Sequence, residues 1–317
     1  MKPFGLVILL ITCLARSTFA CDLCAIYSAT QAQGETGKGP FAGFAEQFTY
    51  FGTVQVDGEK VPNQVGQYLN SSISQVFAGY NFNDRLGLQF NLPVIYRSYK
   101  RPDGLGGIDR DSLAGIGDVS LLGNAVVYSY EKKNATVLLN LLGGVKFPTG
   151  STSRLTEEFD EVEDPVGQPS GIHGHDLTLG SGSYDGIIGS GLFARLGRFF
   201  LNGIVQYAIR SEGDYDYQFA NDLTWSGGPG GYVVLRDEFT LSLQVVVSGE
   251  HKGLDTFQGE AAEDTGVTSV FLGPQINFTW SDNLSVQVAL DLPVSIDNTE
   301  LQTVPDYRVR AGVTWRF

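Results

Sequence analysis

Between Leu284 and Ser295 the chain alternates. Leu284, Val286, Val288, Leu290, Leu292 and Val294 fall on one face, and Ser285, Gln287, Asp291 and Ser295 on the other. A period of two means a strand with one apolar and one polar face. The stretch from Phe239 repeats the pattern, with Leu241, Leu243, Val245 and Val247 set against Thr240, Ser242, Gln244 and Ser248. So do the stretches that open at Leu86, Val270 and Tyr307. About twelve such segments are readable, near 42–53, 67–80, 85–98, 114–130, 134–148, 181–195, 199–210, 219–235, 239–250, 266–280, 284–295 and 306–317. Several exceed the roughly 5–6 residues of an ordinary strand and reach the roughly 9–11 that a tilted membrane-crossing strand needs. Those near 67–80 and 219–235 alternate poorly.

The connections sort themselves as well. Short links at 81–84, 131–133, 196–198, 236–238 and 281–283 alternate with longer ones near 54–66, 99–113, 149–180, 211–218, 251–265 and 296–305. Five short turns at one end and six longer loops at the other are what twelve antiparallel strands require when both termini share the turn end. Outer-membrane barrels are built that way, with short periplasmic turns and longer external loops. The fold class expected is therefore all-β, a transmembrane antiparallel β-barrel of about 12 strands. A soluble β protein or a lipocalin-like barrel, with its apolar face turned inward, is the competing reading. It fits less well, because the polar faces here are mostly Ser, Thr, Asn and Gln with isolated charges.

Composition narrows the function classes. Charged residues make up 18% and aromatics 12%, with 40 glycines, which suits crowded barrel corners and interfacial aromatic girdles. The N-terminus reads as a signal peptide, 1–20: Lys2, an apolar run from Phe4 to Leu14, and Thr18-Phe19-Ala20 before the cleavage point. Removing Lys2 and Arg16 takes the formal charge from -14 to about -16. Nucleic acid is not an expected partner, since phosphate binding needs a basic face. Beyond residue 20 no apolar stretch is long enough for a membrane-spanning helix. The division expected is a periplasmic N-terminal segment, 21–41, followed by the barrel, 42–317.

Three short motifs point to a family. They are Gly115-Ile116-Gly117-Asp118-Val119, Gly144-Val145-Lys146-Phe147-Pro148-Thr149-Gly150 and Gly180-Ser181-Gly182-Ser183-Tyr184-Asp185. In their order and spacing the chain resembles the outer-membrane family named for the MetA pathway of phenol degradation, whose members carry the label "transporter". The resemblance spans most of the chain after the signal peptide. It implies an outer-membrane barrel and says little about substrate.

Charges on the polar faces are the candidate lumen-lining residues: Arg97, Asp118, Lys146, Asp185, Arg195, Arg210, Asp291, Arg308, Arg310 and Arg316. Lipid-facing charge is costly, so these are expected to point inward. They either pair with one another and fill the lumen or form a constriction that selects solutes. Arg308, Arg310 and Arg316 share one side of the last strand, with Asp118, Asp185 and Asp291 as counterions within the same set.

Metal-type residues occur in two places. Cys21 and Cys24 form a CxxC, which is half a structural zinc site. A local disulfide or inert pair, metal or redox capture at the periplasmic mouth, and lipidation of Cys21 all remain open. The longest loop carries six carboxylates in the nine residues 156–164, followed by His173, His175 and Asp176. It reads as a solvated loop, as a divalent cation site using hard oxygen ligands at the lipopolysaccharide surface, or as a transition-metal site through the histidines. No other cofactor is expected. Catalysis is not expected either: His173, His175 and His251 are the only histidines, all read as lying in external loops, and no nucleophile stands beside a base.

The functional expectation is a passive channel or transporter for small, hydrophobic or aromatic, solutes. The alternative is a closed barrel serving structure or surface interaction. Outer-membrane lipid and lipopolysaccharide are the expected surroundings. The terminal Phe317 resembles the aromatic signal read by the barrel assembly machinery, which is then a transient partner in the bacterial outer membrane.

Overall fold

The computed structural model describes residues 37–160, 166–281 and 283–317. The signal peptide, Cys21 and Cys24 lie outside the described residues. The alternating segments form twelve wall strands: β1 (Gly39–Val56), β2 (Tyr68–Asn81), β3 (Leu86–Pro102), β4 (in two pieces, Ile108–Ile116 and Ser120–Lys132), β5 (Ala135–Lys146), β6 (Asp185–Leu196), β7 (Phe199–Ile209), β8 (Asp222–Leu235), β9 (Phe239–Lys252), β10 (Val267–Trp280), β11 (Leu284–Asn298) and β12 (Leu301–Arg316). Each pairs antiparallel with its chain neighbour, and β12 closes the ring on β1 through pairs such as Phe48 with Val309. A three-residue strand, Glu59–Val61, folds back on the end of β1. The result is a closed 12-strand antiparallel barrel.

Burial explains why these sequences close rather than stack. Val76, Ile188, Leu243 and Val245 are about half exposed on the outer face, while Gln47, Asn91 and Asp185 are almost completely buried inside. A soluble barrel would have the opposite arrangement. Closure leaves no unpaired sheet edge to face hydrocarbon, where unmet backbone groups would be costly. The poor alternation of β8 has a local cause at Gly227-Gly228-Pro229-Gly230-Gly231. The Phe200 ring of β7 lies against Gly230, where a Cβ would stand 2.2 Å from its Cζ atom.

Two of the six expected long loops are corrected. Residues 99–113 and 296–305 are mostly strand: β3 and β4 are joined by residues 103–107 alone, and β11 and β12 by Thr299-Glu300 alone. These strands rise past the apolar band, and there the outer positions turn polar, as at Arg110 and Ser112 of β4. The sequence pattern fades at that height although the hydrogen-bonded ladder continues. His251, expected in a loop, is likewise the penultimate residue of β9.

The described parts of the connection between β5 and β6, residues 147–160 and 166–184, fold into the barrel. They hold a 3-10 helix, Ser153–Asp160, and one helical turn, α1 (Gly174–Leu177). Leu179 packs on Ala45, Ile73, Phe77 and Ile95 of the inner wall, and Ile172 and Leu177 pack on Leu69 and Tyr99. Higher up, Leu155 joins Tyr217, Phe219 and Phe257 of the neighbouring connections. Each fully buried aliphatic side chain contributes up to about 1.5–3 kcal/mol, so this segment is a seated plug.

Candidate functional site

The plug begins and ends at one buried ion network. Lys146 and Asp185 are directly opposite each other on β5 and β6. Lys146 Nζ lies 2.6 Å from Asp185 Oδ2 and 2.9 Å from Asp118 Oδ2. Arg210 continues the chain, 2.8 Å from Asp185 and 2.5 Å from Asp222. Asp118 sits where β4 breaks between its two pieces, and its carboxylate gathers the plug's two ends. Its Oδ1 accepts from the backbone N–H of Thr149 (3.1 Å) and Gly150 (2.9 Å), and its Oδ2 from Ser181 N–H and hydroxyl (both 2.8 Å). Gly150 and Gly180 are forced to be glycine by this convergence. A Cβ on Gly150 would meet Gly180 Cα at 2.7 Å, and one on Gly180 would meet Asp118 Oδ1 at 2.7 Å. The three motifs that carry the family resemblance are thus one structure in space: the break in β4 and the two hinges of the plug.

The remaining candidate residues separate. Arg310 makes a two-pronged contact with Asp291 (2.7 and 2.9 Å), as the counterion argument anticipates. Arg308 reaches across the lumen to Glu250 on β9, at 2.9 and 3.0 Å, and lies 4.5 Å over the Phe271 ring. Glu250 was not singled out from the sequence, because β9 and β12 are not neighbours in the sheet. Arg97 is buried and faces a cavity beneath the plug. Arg195 sits at the turn end, bonded to the Gly197 carbonyl and the Thr136 hydroxyl, each at 3.1 Å. Arg316 is half-buried at the same end, where its backbone pairs with Asn283.

The cavity, about 100 Å³, lies between plug and wall. Phe51, Leu69, Ile172, Val267 and Val304 give it an apolar side, and Arg97, Glu250, Lys252, His175 and Asp176 a polar one.

Glu157 and Glu158, the two carboxylates of the acidic run whose side chains are described, are both partly buried and paired. Glu157 bonds Arg101 (2.6 Å) and Arg154 (2.7 Å). Glu158 accepts from the His175 backbone N–H at 2.7 Å and lies 3.2 Å from His175 Nδ1. His173 Nδ1 lies 2.8 Å from Asp264 Oδ2, in the connection between β9 and β10. Burial alone would strip the proton from His175, but the Asp176 and Glu158 carboxylates outweigh it and raise the pKa to about 10. Burial likewise opposes charge on His173, and Asp264 prevails and raises its pKa. Burial would raise Asp264 and Glu158, yet the imidazoles hold both carboxyls below the usual range. Asp176, expected as a metal ligand beside the histidines, instead caps α1, its Oδ2 accepting from His173 N–H at 2.9 Å.

No family model and no curated protein matches the chain. Among solved structures it is similar to an outer membrane channel from Pseudomonas putida F1, with a TM-score of 0.65 and 17% identity over 92% of this chain and 100% of that one. The chain has the fold of an outer-membrane barrel. Weaker likenesses are to the beta domain of a Bordetella autotransporter (TM-score 0.44, 10% identity, 89% and 100% covered) and a Pseudomonas aeruginosa FadL homologue (0.36, 11%, 88% and 90%). At those scores neither bears on function.

The expectation that the chain is not an enzyme is corrected. LpxR from Salmonella typhimurium is a further weak likeness (TM-score 0.37, 10% identity, 87% and 100% covered), and a membrane-barrel fold is by itself no ground for excluding catalysis. The exclusion also assumed isolated histidines, whereas His173 and His175 lie together among buried carboxylates.

Proposed function

We propose that the protein is an outer-membrane channel for small solutes, with its turns in the periplasm and a path narrowed by the 147–184 plug. The observation that carries this reading is the cavity left between plug and wall. A barrel sealed only for structure has no need of a space with one apolar and one charged side. At about 100 Å³ it is of the order of the ~150 Å³ cavity that admits benzene. The matching solute is a small ring or short apolar body with one polar end. This agrees with the small hydrophobic or aromatic solutes expected from the sequence. The exposed Phe317 at the end of the wall fits recognition by the barrel assembly machinery, and the half-exposed apolar outer face fits outer-membrane lipid.

Reconstitution in planar bilayers tests the proposal. Stepwise conductance that a small phenolic solute reduces is the expected result. Silence after insertion has been verified by heat-modifiable migration contradicts it and favours the closed barrel.

A further inference from the structure

We propose that His173, His175 and Asp264 bind one divalent transition-metal ion, which fastens the plug to the connection between β9 and β10. One ring nitrogen of each histidine and one Asp264 carboxylate oxygen all lie within 4.8 Å of one another. Donors about 2.0–2.1 Å from a tetrahedral ion stand roughly 3.3 Å apart. Side-chain rotation of about 1.5 Å or less therefore closes the set, starting from a His173–Asp264 pair already at 2.8 Å. Two imidazoles and one carboxylate suit Zn²⁺, Co²⁺ or Ni²⁺; Ca²⁺ and Mg²⁺ prefer all-oxygen shells.

Three features beyond proximity support a site. Glu158 lies 3.2 Å from His175 Nδ1, placed to accept a hydrogen bond from that ring N–H and leave Nε2 as the ligand atom. This is the carboxylate–histidine–metal arrangement that orients ligands in metalloproteins. Three carboxylates, Glu158, Asp176 and Asp264, surround the two imidazoles, so the local balance favours a cation. The ligands also come from two connections almost a hundred residues apart in the chain, which the ion would clamp together over the cavity. Three protein ligands leave a fourth position open, as in zinc sites that exchange water or substrate.

The test uses the folded, tag-free chain in detergent, stripped with chelator, in a Cys21→Ser/Cys24→Ser background that removes the other metal-type motif. Zn²⁺ is titrated by calorimetry and Co²⁺ by its visible absorption. The expected result is one equivalent bound, with X-ray absorption showing two imidazoles per ion. Asp264→Asn, which preserves shape, and His173→Ala should each weaken binding at least about 100-fold, beyond the loss typical of orienting neighbours, while heat-modifiable migration stays normal. If His173→Ala fails to fold, Asp264→Asn decides. No saturable uptake by the parent protein, or uptake that Asp264→Asn leaves unchanged, overturns the proposal and leaves the cluster as a set of ion pairs.

Discussion

The loop half and the turn half of the lumen are filled by different chemistry. Towards the loops the inner wall is charged and paired: Lys146 with Asp118 and Asp185, Arg210 with Asp185 and Asp222, Lys252 with Asp255, Arg308 with Glu250. Towards the turns, apart from Arg195 and Arg316 at the rim, the bonds run among neutral amides and hydroxyls, with Gln75 and Gln89 bonded to Asn91, Asn91 to Ser120, and Gln244 to Asn202. An apolar patch of Leu138, Phe193 and Phe200 lies on the same level. The difference follows the plug. Backbone N–H groups of an irregular segment need acceptors when buried, and a carboxylate such as Asp118 satisfies several at once while a lysine balances its charge. The turn half has no segment to hold, and amides fill it without the desolvation cost of ions.

The largest expected effect comes from breaking the network that holds the plug. Asp185→Ala leaves Lys146 and Arg210 short of a counterion at a buried position. It should cost about 3–5 kcal/mol in urea unfolding from lipid vesicles. A loss below about 1 kcal/mol would mean that ion pairs do not organise the loop half. Arg308→Ser should cost about 3 kcal/mol by stranding Glu250. Because that arginine is spoken for, the reversal potential should not move; a shift towards cations would assign Arg308 to selectivity instead. In the turn half, Asn91→Ala breaks three amide and hydroxyl bonds. Water in the lumen can replace some of them, so about 1–2 kcal/mol is expected in the same assay. A loss as large as that for Asp185 would erase the contrast between the halves.

The smallest effect concerns the outer wall. Glu46 faces outward between inward-facing Ala45 and Gln47, its carboxylate accepting from the Ser72 and Ser74 hydroxyls of β2. Glu46→Gln should raise stability by less than about 1 kcal/mol, since lipid-facing carboxylates are only mildly unfavourable. Clear destabilisation would show that this polar patch on the apolar belt is needed for folding.

The strand count and the two faces of each strand were legible because a membrane barrel imposes period two on its wall. That Asp118, Lys146 and Asp185 are charges on polar wall faces was legible too; that Lys146 and Asp185 stand directly opposite each other was not. The inward fold of 147–184 was not, because its anchors are backbone bonds to Asp118 and isolated apolar residues such as Ile172 and Leu179, which carry no period. Glu250 with Arg308 and His173 with Asp264 span elements that do not adjoin in the sheet. No spacing rule reaches that far. Glu157 and Glu158 of the acidic run were not legible as paired residues for a related reason. Composition alone cannot show that Glu157 and Glu158 turn inward to Arg101, Arg154 and His175.

The central claim, that a plug held by buried ion pairs sets the path through this barrel, is tested most directly by single-channel conductance of Asp118→Ala/Asp185→Ala beside the parent protein. The pair of substitutions removes the acceptors for Thr149, Gly150 and Ser181 and both carboxylate partners of Lys146. Larger and noisier conductance steps, from a barrel that still shows heat-modifiable migration, are the predicted result. Identical steps from both proteins, with insertion verified, would contradict it.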